Sequence, residues 1–562
     1  MTRNQVTYPK IFRVSLQKVR DKGREICFIA CMAAIPKIPR IPDAERTPLV
    51  VALLEIIQLQ QEQIQELRDE IARLKGQKPK PKIKPSKLEK KSGNKEQDGS
   101  TGKRPGSIKR EKTKELQIHE TVTVAAANVP KGSVRKGYEE FTIQGIRFQL
   151  HNTLYRRERW LTPDGDTIIA PLPEDVVFVE GHFDAPLVCY ILSQYYHCHV
   201  TQPLILEQLL ELGVDISAGQ VNRIITEGKE RFHAEKDEIL RVGLGISDYV
   251  HVDDTTARHQ GKNGHCTVIG NELFAWFEST SSKSRINFLE LLRAGNKDYV
   301  LSSAAFDYMS AQKLPKGQMD LLAGCEKAVF EDDTAWIAAL TTLGITAERH
   351  IRIATEGALL GSILEHEAIN PDLVILSDDA GQFDVLIHAL CWIHAERSIN
   401  KLIGHTDAQR EALAEVRTQV WELYAGLKAY REAPGPEKKQ ELVERFDEIF
   451  TTKTCYEMLN QALKRIYKNN RELLLVLDRP EIPLHNNAAE TDIREYVKKR
   501  TISGSTRSDL GRRCRDTFAS LKKTCRKLGV RFWEYLNDRV SGANSIPWLP
   551  DLMRERMGES PG

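Results

Sequence analysis

LVILSDDAGQFDVLIHALCWIHAER, running from Leu373 to Arg397, carries an apolar run, two acids and a helical pattern in quick succession. Leu373-Val374-Ile375-Leu376 is unbroken and apolar, with Pro371-Asp372 before it and Ser377-Asp378-Asp379 after it. A short run of this kind between turn residues predicts a strand buried on both faces. Its acids then sit at the carboxyl end, where open α/β sheets place their sites. Gly381 breaks the chain, and a helical pattern is expected from about Phe383. Cys391 and His394, three apart, share a face of that helix. Acid at a strand tip followed by a histidine-bearing helix implies metal-dependent phosphate chemistry, with further ligands supplied from elsewhere.

Upstream, Tyr249 to Thr256 (YVHVDDTT) reads as a β-branched, aromatic strand ending in Asp253 and Asp254. Cys266–Ile269 and Leu273–Phe277 follow, parted by a Gly270-Asn271 turn, and a helix is expected over Arg285–Leu292. Three strands, a helix and then the buried strand is the order of a ribonuclease-H-like sheet. The first and fourth strands of such a sheet are neighbours, so Asp253 and Asp378 approach each other. Downstream, HNNAAETDIREYVKKRTISGSTRSDLGRR (His485 to Arg513) opens a helix with Glu490 in its first turns. Arg494 and Lys498 follow Glu490 at four-residue steps. Two Mg²⁺ ions about 4 Å apart clamp the attacking and leaving oxygens of a phosphodiester. They take a few carboxylates together with water and phosphate oxygens, which three acids with basic neighbours would supply.

Before these blocks lies a different kind of chain. Thr47-Pro48 marks a helix start. Val50, Ile57, Ile64 and Ile71 alternate with Leu53, Gln60, Leu67 and Leu74 as a heptad, which favours a parallel two-stranded coiled coil. Gly76 ends it. Residues 77–115 hold 14 Lys or Arg against 5 acids and little to bury, a flexible basic tether able to hold phosphates without reading sequence. Residues 118–173 alternate like short strands, with hairpins expected at 141–150 around Gln144-Gly145 and between Thr153–Tyr155 and Thr167–Ile169. Gln202–Leu212, Gly213-Val214-Asp215 and Ser217–Gly228 have helix-turn-helix spacing, with Asn222, Arg223 and Thr226 expected to face outward. Formal net charge is only +3, from 81 Lys and Arg against 78 Asp and Glu. The ten cysteines show no paired framework and read as reduced thiols of a cytoplasmic protein. No apolar run is long enough to span a bilayer. The run Ile26 to Ile35 has the look of a short signal core, but residues 1–31 read better as an extension upstream of a start at Met32.

HVDDT, LSDDAGQF with CWIHAER, and HNNAAETDIREYVKKRTISGSTRSDLGRR together resemble the catalytic blocks of bacterial DDE transposases of the insertion-sequence-66 family. The resemblance covers about Thr47 to Val540 and is most specific in the last block. It implies Asp253, Asp378 and Glu490 as catalytic metal ligands and a helical insertion over about Asn400 to Asp478. It also implies that His394, in the Cys391-x-x-His394 motif, approaches DNA. Arg494, Lys498, Lys499, Arg500 and Arg223 are the further expected DNA contacts. Four departures stand out. The Cys-rich zinc module usual before the helical region has no cysteines here between 118 and 173, so zinc is not expected there. Asp254 stands where the family commonly has Glu. Asp379 stands where it commonly has Gly, which leaves Asp378 and Asp379 both open as the ligand. About 75 residues between Lys297 and Asp372 have no counterpart.

Plainer readings compete with some of these. Cys391 and His394 make no zinc site by themselves. Asp254 and Asp379 serve as turn caps, Asn486 and Asn487 as a helix N-cap, and Trp392 and Trp533 as core. The expected molecule is a multidomain α+β protein. An extension (1–46), a coiled-coil helix (47–76) and a basic linker (77–117) precede a small β module (118–173) and a helical DNA-binding region (174–245). A ribonuclease-H-like α/β core (246–399 and 479–545) follows, interrupted by a helical insertion (400–478) and ending in a tail (546–562). The expected activity is cutting insertion-sequence ends and joining them to target DNA, with Mg²⁺, or Mn²⁺ in its place, as cofactor. Expected partners are DNA, a second copy of the chain through the coiled coil, and helper proteins of the same element, with no membrane involved. A non-catalytic DNA-binding regulator and a nuclease without joining activity are the competing functions.

Overall fold

A computed structural model describes residues 149–172 and 182–558 (326–327 and 367–368 apart), the backbone of 178–179, and scattered positions from 47 to 146. The chain divides into two compact units, residues 1–146 and 147–562. In the first, the described heptad positions Val50, Leu53, Ile57, Gln60 and Ile64 are helical, and Thr47 Oγ1 accepts from Val50 N at 3.4 Å. Leu53, Ile57 and Ile64 stand exposed. The extension, the later heptad positions Leu67, Ile71 and Leu74, and the basic linker lie outside the described residues.

The second unit begins with one hairpin, β1 (Arg159–Leu161) and β2 (Thr167–Ile169), in the register Trp160↔Ile168. The expected partner of β2 was Thr153–Tyr155. The turn explains the difference: Thr162 N donates to Asp166 O (2.8 Å) and Gly165 N to Thr162 O (3.0 Å), with Gly165 at φ +88°. A turn closed this tightly must pair the residues that flank it directly. The described residues of the expected hairpin at 141–150 form no strand. Helices α1 (Ala185–Leu192), α2 (Gln202–Glu211), α3 (Ala218–Thr226) and α4 (Glu230–Ile246) follow. The start of α3 is fixed by a capping box between Ser217 and Gln220.

The centre is a five-stranded mixed sheet of β3 (Tyr249–Thr256), β4 (His265–Gly270), β5 (Ala275–Thr280), β6 (Val374–Ser377) and β7 (Ile387–Leu390), in the order β7-β6-β3-β4-β5. β3 to β5 form an antiparallel meander, and β6 runs parallel to both β3 and β7. The first and fourth strands are thus neighbours, as their order in the chain implies. Helix was expected from Phe383, yet Ile387–Leu390 is a strand. A run of four apolar-rich residues is too short to betray its period, and a parallel edge strand claims it.

Between β5 and β6 the chain forms α5 (Arg285–Leu292), α6 (Ser303–Ala311), α7 (Lys316–Ala323), α8 (Asp333–Thr342) and α9 (Glu348–Glu365). The segment 297–372, which the sequence left without a role, is therefore a helical layer. Ala358 and Leu359 of α9 join Val250, Val252 and Ile375 of the sheet in one buried cluster. Within the layer, Gly361 lets α9 lie against the backbone at Val300, since a Cβ there would lie 2.1 Å from Val300 O. After β7 come α10 (Trp392–Asn400), then α11 (Asp407–Glu432), α12 (Pro436–Thr451), α13 (Glu457–Lys468) and α14 (Asn470–Leu474). The buried ring of Trp392 seats them through Nε1–H to Leu473 O (2.9 Å).

Last come α15 (Asn487–Ser503), α16 (Asp509–Lys527), α17 (Phe532–Ser541) and α18 (Leu549–Gly558). α16 closes the sheet edge with a polar stripe. Asp516, Ser520 and Thr524, four apart, accept from the backbone N–H of Ser279 (2.9 Å), Phe277 (2.9 Å) and Ala275 (3.2 Å). Covering an edge this way satisfies donors that would otherwise be buried unpaired. α17 and α18 are anchored on α4. Arg539 and Glu235, both wholly buried, pair at 2.9 Å, while Tyr535 Oη and Leu549 N also donate to the Glu235 carboxylate (2.7 and 3.0 Å). Trp533, expected in the core, is instead 46% exposed. The helix α17 turns Phe532 and Tyr535 inward in its place. No helix among the described residues is long and apolar enough to cross a membrane.

Candidate active site

Strand alternation separates the acids. Val250 and Val252 of β3 face the α9 side. Their odd-numbered neighbours His251 and Asp253 face α15, whose Ala489, Ile493 and Tyr496 pack on that side of the sheet. On β6, Val374 and Leu376 share a cluster with Tyr249, so Asp378, two further on, lies on the face of Asp253. The register Leu376↔His251 between the parallel strands brings Asp378, just past the end of β6, near enough to Asp253 for its charge to act there. Asp254 turns the other way. Gln382 Nε2 donates to its Oδ2 (2.8 Å), and Lys283 Nζ lies 3.9 Å from its Oδ1. Asp379 is exposed and Asp378 half-buried.

Burial pushes the Asp253 carboxyl up to about 7, and the charges of Asp378, Asp254 and Glu490 add to the rise. The backbone N–H of Asp254, at 2.8 Å from Asp253 Oδ1, opposes it. Asp378 is raised as well, first by burial, against the opposing pull of His394. Glu490 lies one turn into its helix and meets two guanidinium groups, Arg397 Nη1 (3.5 Å) and Arg494 Nη2 (3.6 Å), with His394 Nε2 at 3.6 Å. Arg397 Nη1 lies 3.0 Å from His394 Nε2. A guanidinium only donates, so this imidazole nitrogen accepts and the hydrogen sits on Nδ1. Burial and Arg397 together lower the histidine's affinity for a second proton. His394 Nδ1 is buried with no hydrogen-bond partner among the described residues.

The expected cationic contacts divide. Arg494 and Lys498 are outward on α15, with side chains 69% and 67% exposed. Arg223 is exposed on α3. Lys499 is not a surface group: its ammonium donates to Tyr195 O (2.7 Å) and lies 3.5 Å from the Tyr195 ring centroid. Burial, with Arg515 and Lys522 nearby, lowers its pKa to about 7. In a helix the residue after an outward one points about 100° away, which turned this lysine inward. Arg500 is tied to the end of β3, donating to Thr255 Oγ1 and Thr256 Oγ1 at 2.9 Å each. Thr226, expected outward, is buried, with its hydroxyl on Asn222 O (2.8 Å). A cavity of about 200 Å³ opens beside His394 between α10 and α13, lined by Asp379, Ser398, Arg465 and Asn469.

The Transposase IS66 family model matches residues 378–513, which span the second acid to the start of α16. A Sinorhizobium fredii (strain NBRC 101917 / NGR234) protein, described as uncharacterized protein y4jO, is 44% identical over 304 residues, 54% of this chain and 94% of that one. The chain belongs to the IS66 transposase family. Family membership implies divalent-metal use in general terms. The residues present suit a hard cation: carboxylate oxygens on one face, two of them destabilised as anions by burial and mutual repulsion. They are not a closed cage. Among the described residues no three His, Cys, Asp or Glu side chains are close enough together to hold a metal ion. Within this IS66-family chain, sequence reading passed over Arg397 and Asn486. Arg397 had a signal, standing three residues after His394 on the same helical face. The Asn486-Asn487 doublet suggested an N-cap, but the structure shows no side-chain cap at this helix start.

Proposed function

We propose that this protein is a DDE transposase that cuts insertion-sequence ends and joins them to target DNA. The observation that carries the reading is that Asp253 on β3 and Asp378, just past the end of the adjacent parallel strand β6, share a face across which the Glu490 helix packs. The sheet order supports a ribonuclease-H-like core. Asp253, Asp378 and Glu490 would hold the cofactor, Mg²⁺ or Mn²⁺. When bound, such ions supply charge neutralisation at the phosphate and a nucleophile at neutral pH.

The chain's own groups do the rest. Arg494 and Lys498 hold the DNA backbone over the acids, and Arg223 on α3 contacts DNA from the helical region. Arg397 donates to His394, keeping the ring neutral, and pairs with Glu490. In the first step a water oxygen bonds to the phosphorus at the element end and the bond to the 3′-oxygen breaks, releasing a 3′-hydroxyl. In the second, that hydroxyl oxygen attacks a target phosphorus in line and displaces the target's own 3′-oxygen. The heptad over 47–76 would pair two copies so that both element ends are held together.

A second reading, a DNA-binding regulator without catalysis, is favoured by one observation: Glu490 is already paired with Arg397 and Arg494. Labelled end DNA incubated with the protein and Mg²⁺ separates the readings. Cutting with joining supports the transposase, cutting alone a nuclease, and binding alone the regulator. Asp253→Asn is expected to abolish both steps and leave end binding intact; cleavage retained in that variant removes Asp253 from the site.

A further inference from the structure

Asn486 is 98% hidden from solvent yet uses every polar group it owns. Its Nδ2 donates to Val252 O (2.7 Å), the carbonyl just before Asp253. Its Oδ1 lies 3.0 Å from His251 Nδ1. The backbone N–H reaches Cys391 Sγ (3.2 Å), at the cap position of α10, and the carbonyl accepts from Glu490 N (3.2 Å). Nearby, Trp392 N donates to Leu484 O (3.0 Å), a second stitch between the same two segments. The amide's orientation is fixed by chemistry. A carbonyl can only accept, so the nitrogen faces Val252 and the oxygen faces His251, which must carry its hydrogen on Nδ1. One residue therefore joins the strand of Asp253, through its side chain, to the helix of His394 and the helix of Glu490, through its backbone.

We propose that Asn486 is a positioning residue that sets the separation of Asp253 and Glu490. The proposal rests on the transposase reading above. Aspartate in its place has the same shape but sets an oxygen against Val252 O where a donor is needed. Alanine leaves that carbonyl and the His251 ring unpaired in the interior. Either change loosens the Glu490 helix from the Asp253 strand without touching DNA. Displacements of about 1 Å at such a distance cost about 100-fold in rate.

The test compares full-length wild type, Asn486→Asp, Asn486→Ala and the exposed neighbour Asn487→Ala. Three quantities are measured: single-turnover cleavage of labelled end DNA in Mg²⁺, end-binding affinity, and amide hydrogen exchange across 250–256 and 486–494. The expected result for both Asn486 variants is a cleavage rate down about 100-fold, with end affinity within about twofold, faster exchange confined to those two segments, and Asn487→Ala like wild type. Cleavage at the wild-type rate in Asn486→Asp overturns the proposal. So does parallel loss of cleavage, binding and protection throughout the chain, which marks a merely structural residue. If the wild type itself does not cut, the transposase reading fails separately. Exchange then decides: faster exchange in the two segments keeps the tie, and unchanged exchange removes it.

Discussion

A carboxyl group that burial holds protonated up to about pH 7, as at Asp253, releases its proton at a cost to the folded state. The unfolded chain gives up the same proton near pH 4. Between those values the unfolded state binds fewer protons, so stability falls as pH rises, and the loss is complete above about pH 7. Asp253→Asn removes this dependence. In metal-free buffer the variant should match wild type near pH 4 and melt higher at pH 8, by no more than about 4 kcal/mol. Added Mg²⁺ should narrow that gap by stabilising wild type alone. Thermal unfolding at the two pH values checks this, and an unchanged pH slope in the variant locates the load elsewhere. That Asp253 and Asp378 share a face of the sheet was legible at this scale, because alternation along Tyr249–Thr256 and the run before Asp378 fix their faces. Asn486 was not, because an asparagine before a helix looks the same whether it caps its own helix or reaches into a neighbouring strand.

Two helices show what periodicity carries and what it hides. α15 buries Asp492 and Lys499 along with Ile493 and Tyr496, so its inward stripe is partly polar and the KKR run gives no sign of which lysine faces out. Arg494→Ala and Lys498→Ala should each flatten the salt dependence of DNA binding by about 0.9 in log–log slope. Lys499→Met should leave the slope unchanged, and a flatter slope in that variant would show its ammonium reaching phosphate. In α16, the stripe Asp516, Ser520, Thr524 looks like a solvated face in sequence, yet it closes the edge of β5. Ser520→Ala strands the Phe277 N–H in the interior. Chemical denaturation should show a loss of about 1–3 kcal/mol, whereas a shift within about 0.5 kcal/mol, as at ordinary surface sites, would mean the edge is not sealed by that hydroxyl. The meander and α5 were readable from pattern; the hairpin register and β7 were not, because turn closure and sheet pairing overrode short apolar runs.

For the whole molecule, the exposed heptad residues Leu53, Ile57 and Ile64 leave an apolar stripe that a second copy can cover. Ile57→Asp with Ile64→Asp should halve the mass seen in sedimentation. Equal mass for variant and wild type would place self-association, if it occurs, on another surface. The helical run over 400–478 was legible through the family resemblance, and the structure fills it with α11 to α14. How residues 297–372 fold into a layer was not, because their packing depends on glycines, Gly357 against Met309 and Ala305 and Gly361 against Val300, that let α9 lie close to its own neighbours.

The fully enclosed pairing of Glu235 with Arg539 and Leu549 N also governs when this protein can come into being. A ribosome delivers Glu235 long before its partners, and until they emerge that carboxylate has no interior it can enter without heavy penalty. Closure of the core around Glu235 therefore waits until Arg539 and Leu549, 304 and 314 residues further on, have been translated. A chain stopped before Arg539 and Leu549 should leave Glu235 without its partners and fall to proteases rather than yield a smaller folded molecule.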